Sequence, residues 1–342
     1  MRWKNMLDKE TYFKIKWLIA KNELKNYKKR GGFDYQKPKD NSIVELHSRA
    51  SGIQFGVRAP QSQDIVHWLE NLEINLFKIN QMDFDFDTGL LPNLGIAWKE
   101  FKPYPLSTTV HTALEFLNIH KNKRPIIFKN DFWYFQEIID THINDVSDIQ
   151  DGDALILSVP FFETFQYKKN MDEILKRCCE LDVPVMIDLI WLPLSTYEGD
   201  LKHTDCVEVI TQSMTKVLPI SGIKGGVCFW RDPVLKRFNL YPLGNNVGFY
   251  ITKKYLEQFG YYHVRDSLKD LQIKWCEILS IDTYSMSTFG KIPKSHFLSG
   301  QSLHSHRIPD SNLFNLLPFY ENDQAITSFL SDVDKYQNLI YN

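Results

Sequence analysis

The sequence has little of what marks secreted, membrane or metal-binding proteins. It contains only five cysteines in 342 residues, with no C-x-x-C pair and no His cluster at zinc-finger spacing, so we expect reduced cysteines that pack in the core. No continuous apolar stretch has the length of a membrane span. Residues 1–5 lead into charged residues and not into an apolar signal core. We therefore expect a cytoplasmic protein that has no signal peptide and does not contact a membrane.

Charge of one sign is also lacking, because the formal net charge is only −2. This balance argues against nucleic acid as a partner, and the local basic run at residues 25–30 is typical of a solvated helix face. What the sequence does have is 43% apolar and 14% aromatic residues. A chain of this length and composition is expected to form one large domain and one smaller domain, with room for a cleft.

The pattern along the chain predicts three segments. Apolar positions among lysines at residues 9–28 predict an amphipathic helix that ends at Gly31 and Gly32. We assign residues 1–45 to this helix and a linker that packs with the small domain, residues 46–245 to a large α/β domain, and residues 246–342 to a small C-terminal domain. A helix over residues 253–280 is predicted within the last segment.

Short apolar runs alternate with helical patterns in the large domain. The runs lie at residues 126–128, 154–157, 183–187, 207–210 and 227–230, and a helix with one apolar face is predicted over residues 170–181. Buried strands separated by helices predict a mainly parallel sheet flanked by helices. Ligands of such sheets bind at the carboxyl ends of the strands.

The most informative segment follows the run at residues 207–210. It contains Ser213, Thr215 and Lys216, and glycines at residues 222, 225 and 226 surround Lys224. Hydroxyls, cations and glycines at the end of a strand predict a phosphate-binding loop, because a backbone without side chains can approach a phosphate closely. The alternative is that both lysines are solvated loop residues.

Asp188 ends the apolar run at residues 183–187 and lies 28 residues before Lys216. A carboxylate at the end of a buried strand requires a cationic or protonated partner. A pyridinium nitrogen is one such partner. A helix N-cap, or a buried aspartate with ordinary hydrogen bonds, is the alternative.

Together these residues resemble the fold type I pyridoxal 5′-phosphate (PLP) enzymes, specifically the class I/II aminotransferases of the aspartate aminotransferase type. That family has a strand-end Asp, a lysine in S-x-[ST]-K and an arginine in G-x-R-x-G eight residues later. The resemblance implies that Asp188 binds the pyridine nitrogen and that Lys216 holds PLP as a Schiff base. It also implies that Ser213, Thr215 and Lys224 bind the phosphate.

The resemblance extends to other segments. Residues 86–97 are similar to the family's Y-x-x-x-G-x-x-x-L-R-x-A-I segment, and residues 109–114 are similar to the turn that opens a phosphate-facing helix. The resemblance thereby implies that Thr109 and Val110 lie at the phosphate and that Trp133 stacks on the PLP ring. It also implies that Arg307 binds the substrate carboxylate.

The chain departs from the family pattern at several positions. Residues 162–165 replace N-P-T-G, whose Asn bonds the PLP 3′-oxygen, and Trp191 stands where a Tyr bonds the same oxygen. Lys224 replaces the phosphate-binding arginine and keeps its charge without its fork. Thr109 and Val110 replace a Gly and a Ser.

The resemblance implies an aminotransferase that exchanges an amino group between an amino acid and a 2-oxo acid, as a homodimer. Two alternatives stay open, since a fold does not fix a reaction. One is another PLP-dependent reaction, namely decarboxylation, elimination or substitution. The other is a non-catalytic member of the fold, against which the presence of both Asp188 and Lys216 argues.

Overall fold

The large sheet of the protein contains seven strands. The computed structural model describes residues 63–76, 79, 85–129, 131–161, 170–197, 199–218, 224–231, 245–279, 282–293, 307–308, 311–317 and 320. The strands of this sheet are β1 (Phe101–Pro105), β2 (Arg124–Phe128), β3 (Thr141–Ile143), β4 (Asp153–Ser158), β5 (Val185–Asp188), β6 (Val207–Ser213) and β7 (Gly226–Arg231). Each of the five predicted apolar runs overlaps one of these strands, and β5 begins two residues after the start of the run at residues 183–187.

Helices connect or follow these strands. They are α1 (Gln63–Asn71), α2 (Thr109–Ile119), α3 (Trp133–Ile138), α4 (Met171–Glu180), α5 (Asn246–Phe259) and α6 (His263–Leu279), with 3-10 turns at Thr88–Leu90, Trp98–Glu100, Val146–Asp148, Leu192–Leu194 and Thr204–Cys206. Helix α4 confirms the helix predicted at residues 170–181, and its buried face carries Met171, Ile174, Leu175 and Cys178.

The sheet order is β1-β7-β6-β5-β4-β2-β3. The five strands from β3 to β6 in this order are parallel to their neighbours, whereas β7 is antiparallel to β6 and to β1. The prediction of a mainly parallel sheet flanked by helices is therefore confirmed. All residues of β4 and β5 are buried, as expected for central strands covered on both faces.

One face of this sheet packs against helix α2. Ala113 and Phe116 of α2 belong to a buried cluster with Ile156, Met186 and Val209, which stand on β4, β5 and β6. Because side chains alternate along a strand, the residues two positions further along these strands face the same side. Ser158, Asp188 and Thr211 therefore point to the α2 side of the sheet, at its carboxyl edge.

The described residues divide into two compact units, one within Arg58–Asp266 and one within Ser267–Asn342. In the second unit, a four-stranded antiparallel sheet has the order β10-β11-β9-β8; its strands are β8 (Asp282–Thr283), β9 (Phe289–Pro293), β10 (Arg307–Ile308) and β11 (Ser311–Asn315). The buried amide of Gln272 lies 2.7–3.0 Å from the carbonyl oxygens of Tyr284, Met286 and Phe289 and ties α6 to this unit. The domain limits predicted at residues 45 and 245 stay predictions.

The helix predicted over residues 253–280 is wrong in one respect. The segment forms two helices, α5 and α6, separated at Gly260. Gly260 has φ 83°, a positive value that a helix cannot continue through and that favours glycine. The helix predicted at residues 9–28 lies outside the described residues. No helix in the described part of the chain has both the length and the apolar character needed to cross a membrane.

Candidate active site

Asp188 is the last residue of β5, between two parallel neighbours at the carboxyl edge of the sheet. Its side chain is buried, with 1% of its surface exposed. Oδ1 accepts hydrogen bonds from the Thr211 hydroxyl at 3.0 Å and from the Ile190 backbone N–H at 3.1 Å. Oδ2 is also buried, and no residue within the described ranges donates to it. One carboxyl oxygen is therefore saturated and the other is left for a donor.

The environment of Asp188 works against its ionisation. Burial raises the pKa of Asp188 to about 7, and the nearby charge of Asp131 adds to this increase. The hydrogen bonds from Thr211 and Ile190 and the positive charge of Lys216 lower the pKa and oppose burial. A cationic N–H group beside Oδ2 would restore the charged form.

Lys216 lies on a turn between β6 and β7. The N–H groups of Val217 and Leu218 both donate to the carbonyl of Met214, at 3.0 and 2.8 Å, which closes one helical turn around Lys216. The Met214 N–H in turn donates to the Gly225 carbonyl at 2.9 Å. This turn is therefore fixed at its start by the strand that ends at Ser213 and by the segment that leads into β7.

The Lys216 amine has a lowered proton affinity. Burial lowers the pKa of Lys216 to about 8, the positive charge of Lys224 lowers it further, and the charge of Asp188 acts in the opposite direction. The Lys216 Nζ atom lies 4.9 Å from the centroid of the Trp191 ring. An amine with a pKa near 8 has a substantial neutral fraction at physiological pH and is a nucleophile for carbonyl carbons.

The polar residues of the predicted phosphate loop lie on the same turn. The Ser213 and Thr215 hydroxyl oxygens are 3.0 Å apart, and the Thr215 N–H donates to Ser213 Oγ at 3.4 Å. Lys224 is exposed and has φ 58°, in the left-handed region. The positive charge of Lys224 lowers the pKa of Lys216, so the two ammonium groups are close enough to repel each other.

Helix α2 brings Thr109 to the same edge of the sheet. The Thr108 hydroxyl accepts from the His111 N–H at 3.0 Å and caps the helix. Helix α2 ends just before β2 begins, so its C-terminus lies at the amino edge of the sheet. Its eleven residues are about as long as a five-residue strand, so its N-terminus lies at the carboxyl edge. The Thr109 hydroxyl is buried and has no partner in the part of the chain that the structure describes. The Val110 side chain packs against the hydrophobic core, which leaves its backbone N–H as the group that could bind an anion at this helix end.

The remaining predicted residues are placed less completely. Trp191 is 4% exposed and follows β5 by three residues, beside Lys216. Trp133 is the first residue of α3, and its side chain lies outside what the structure describes. Arg307 begins β10 in the second unit, again without a described side chain. Residues 162–165 lie outside the described ranges.

Sequence reasoning missed three polar residues around Asp188. Thr211 on β6 and Ser158 on β4 are its register partners on the two neighbouring strands. Asp131 is 1% exposed and accepts from the N–H groups of Phe132 at 2.6 Å and Ser158 at 3.1 Å. Ser158 follows an apolar run directly, as Asp188 does, and that shared pattern is the signal that points to it.

The comparison with known proteins rests on structure. No protein-family model and no curated protein matches the sequence. A PLP-bound C–S lyase from Staphylococcus hominis superimposes with a TM-score of 0.53 at 10% identity, over 83% of this chain and 93% of that chain. The chain has the fold of the fold type I PLP-dependent enzymes.

A second fold type I structure agrees. Cystalysin from Treponema denticola, which contains PLP, matches with a TM-score of 0.51 at 11% identity, over 87% of this chain and 89% of that chain. The predicted fold class is thus confirmed. Identities this low establish the fold and leave the reaction open.

Proposed function

We propose that the protein is a PLP-dependent enzyme of amino-acid metabolism, and that it exchanges an amino group between an amino acid and a 2-oxo acid. The observation that carries this proposal is the pairing of two neighbouring residues. Within the described ranges, no residue donates to one buried carboxyl oxygen of Asp188, and Lys216, with its lowered pKa, follows the adjacent strand. An acceptor for a ring N–H and an amine for an aldehyde are the two groups that PLP requires.

Asp188 fits the pyridine nitrogen. When bound, PLP supplies an electron-withdrawing ring that stabilises negative charge at the substrate α-carbon. Asp188 Oδ2 would accept from the protonated ring nitrogen, while Thr211 and the Ile190 N–H hold Oδ1 in place. This pairing removes the cost of leaving a buried carboxyl oxygen without a hydrogen bond.

Lys216 fits the aldehyde. Its amine, neutral in part because burial lowers its pKa, would hold the cofactor through its aldehyde group. The same amine, when free, would serve as the base that accepts and returns the proton of a substrate α-carbon. The closed turn from Met214 to Leu218 keeps this amine at the carboxyl edge of the sheet.

The phosphate would bind between the Lys216 turn and helix α2. Ser213, Thr215 and the unpartnered Thr109 hydroxyl supply hydrogen bonds, and Lys224 supplies charge. The N–H groups at the start of α2, including that of Val110, favour an anion. Trp133 is proposed to stack on the ring, Trp191 to lie beside the 3′-oxygen, and Arg307 to bind the substrate carboxylate.

A second reaction is supported by a specific observation. One of the two fold neighbours reported above, the protein from Staphylococcus hominis, is a C–S lyase, and the other, cystalysin, contains PLP. The family's Asn and Tyr at the 3′-oxygen are replaced in this chain by residue 162 and Trp191. Elimination from a sulfur-containing amino acid is therefore the second candidate.

One experiment separates the two reactions. The PLP-loaded protein is incubated with a panel of amino acids, with and without a 2-oxo acid acceptor, and the products are quantified. Transamination converts the acceptor to an amino acid and leaves a pyridoxamine form of the cofactor when the acceptor is omitted. Elimination releases ammonia and a 2-oxo acid without an acceptor. Formation of neither product, with PLP bound, would contradict both transamination and elimination for the amino acids tested.

The assignment of Lys216 has a direct test. Borohydride reduction of the PLP-loaded protein should attach the cofactor irreversibly to the peptide that contains Lys216, as detected by mass spectrometry. Lys216→Ala should abolish the adduct, whereas Lys176→Ala, which changes a solvent-exposed lysine of α4, should leave it intact. An adduct that persists in Lys216→Ala would contradict the assignment.

A further inference from the structure

The Ser158 hydroxyl is a buried polar group that the proposed reaction does not use. Ser158 ends β4, is 1% exposed, and its hydroxyl has no hydrogen-bond partner within the described ranges. Its backbone is fixed, because its N–H donates to Asp131 Oδ2 at 3.1 Å. A buried hydroxyl without a partner lowers the stability of the folded protein, so its presence at this position requires a physical explanation.

The position of Ser158 relative to Asp188 supplies that reason. The two residues are register partners on the adjacent parallel strands β4 and β5, so their side chains leave the same face of the sheet. Neighbouring strands are about 4.8 Å apart, a distance that a hydroxyl and a carboxyl group bridge by rotation about χ1. Thr211 occupies the equivalent place on the other side and already donates to Asp188 Oδ1.

Donor and acceptor are complementary. Among the residues that the structure describes, none accepts the hydroxyl proton of Ser158 and none donates to Asp188 Oδ2. A carboxylate oxygen has two lone pairs, so Oδ2 can accept from Ser158 and from a ring N–H at the same time. Ser158 would also separate two carboxylates, because its N–H serves Asp131 and its O–H would serve Asp188.

We propose that Ser158 is a positioning residue for Asp188. Its hydroxyl donates to Oδ2 of the ionised carboxylate, so that a hydroxyl from each neighbouring strand holds Asp188. Hydrogen bonds to the charged form favour ionisation, which offsets the burial and the charge of Asp131 that oppose it. The link to the pyridine nitrogen rests on the proposed function, whereas the bond between Ser158 and Asp188 is a property of the protein alone.

The test uses the cofactor-free full chain and four proteins: the parent, Ser158→Ala, Asp188→Asn and the double variant. The unfolding equilibrium constant of each is measured between pH 5 and 9. Asp188 with Oδ2 unpartnered has a pKa of about 7, and the Ser158 hydroxyl lowers it by about one, typical of a hydrogen bond to a charged group. The pKa of Asp188 in the unfolded chain is about 4, below its pKa in the folded protein. The free energy of unfolding therefore falls as pH rises, until the pH reaches the folded pKa.

In Ser158→Ala, the free energy of unfolding should fall with rising pH up to about pH 7. In the parent, this fall should stop about one pH unit lower. The variant is therefore destabilised relative to the parent by about tenfold in the equilibrium constant above pH 7, and not at pH 5. This difference should vanish in the Asp188→Asn background, and Ser158→Thr should behave as the parent. A difference that is equal at pH 5 and pH 9, or that persists with Asp188→Asn, would overturn the proposal.

A second measurement connects the bond to the cofactor. If PLP binds the parent, Ser158→Ala should lose it during dialysis about tenfold faster than Ser158→Thr, as followed by visible absorbance. If the parent does not bind PLP, the proposed function fails, and the pH series in the cofactor-free protein still decides the role of Ser158. Equal PLP retention by Ser158→Ala and Ser158→Thr would reject the positioning role at the cofactor.

Discussion

At the scale of the residue, burial of Asp188 lowers the stability of the folded protein when the carboxyl group ionises, although the same carboxylate is proposed to bind the cofactor. Its pKa of about 7 lies well above the value of about 4 in an unfolded chain. Between these two values the folded protein holds a proton that the unfolded chain has released. The free energy of unfolding therefore decreases as pH rises from about 4 to the pKa of the folded state, and the cost is complete above that pH. The folded pKa is about 7 when Oδ2 has no donor, and a hydrogen bond from Ser158 would end the decrease at a lower pH.

Asp188→Asn should remove this pH dependence in the cofactor-free protein. A pKa difference of about three corresponds to at most about 4 kcal/mol. The variant should thus gain stability relative to the parent at pH 8 and show no such gain at pH 4, by urea unfolding at each pH. With PLP bound the order should reverse, since the amide cannot stabilise a cationic ring nitrogen, and catalysis should slow by orders of magnitude. Equal stability differences at pH 4 and pH 8 would contradict the assigned protonation state.

At the scale of the element, the turn between β6 and β7 places a charged residue in an unfavourable conformation. Lys224 has φ 58°, which disfavours side chains with a Cβ atom by about 1 kcal/mol. The residue with this strained backbone is also the residue whose positive charge lowers the pKa of Lys216. The conformation and the charge of Lys224 can therefore be separated by substitution.

Lys224→Gly should stabilise the cofactor-free protein by up to about 1 kcal/mol and weaken PLP retention by about tenfold or more, because it relieves the backbone and removes a phosphate ligand. Lys224→Ala should weaken retention equally without the gain in stability, and Lys224→Arg should preserve retention. Dialysis followed by absorbance measures retention, and urea unfolding measures stability. Unchanged retention in both neutral variants would show that Lys224 is an ordinary loop lysine.

The elements themselves were largely predictable, and their lateral pairing was not. The apolar runs identify β2, β4, β5, β6 and β7, because strands buried on both faces are apolar throughout. Asp188 and Lys216 follow from their positions after such runs. The roles of Ser158 and Thr211 depend on the register between strands, which a single sequence does not reveal. The break at Gly260 was missed because helical periodicity continues on both sides of it.

At the scale of the whole molecule, the predicted homodimer is the main property to measure. Enzymes that this chain resembles build each active site at a two-fold interface, and two-fold dimers are the commonest assembly. We expect the PLP-loaded protein to sediment at twice the monomer mass of 40.2 kDa at micromolar concentrations. Addition of PLP should also strengthen the dimer if both subunits contribute to the site. A monomer mass across this range would refute the prediction.

The order of the strands also bears on how the site is assembled during synthesis. From β4 through β5 and β6 to β7, each strand pairs with the one made before it. Ser158 and Asp188 therefore emerge from the ribosome before Lys216, and each new strand can extend the sheet at the same edge. The lysine turn is fixed only when β7 returns antiparallel to β6, and that strand then pairs with β1, the earliest strand of the sheet. The turn that carries the reactive amine can thus be completed only after the strands of Ser158 and Asp188 have been made, because the Met214 N–H donates to the Gly225 carbonyl.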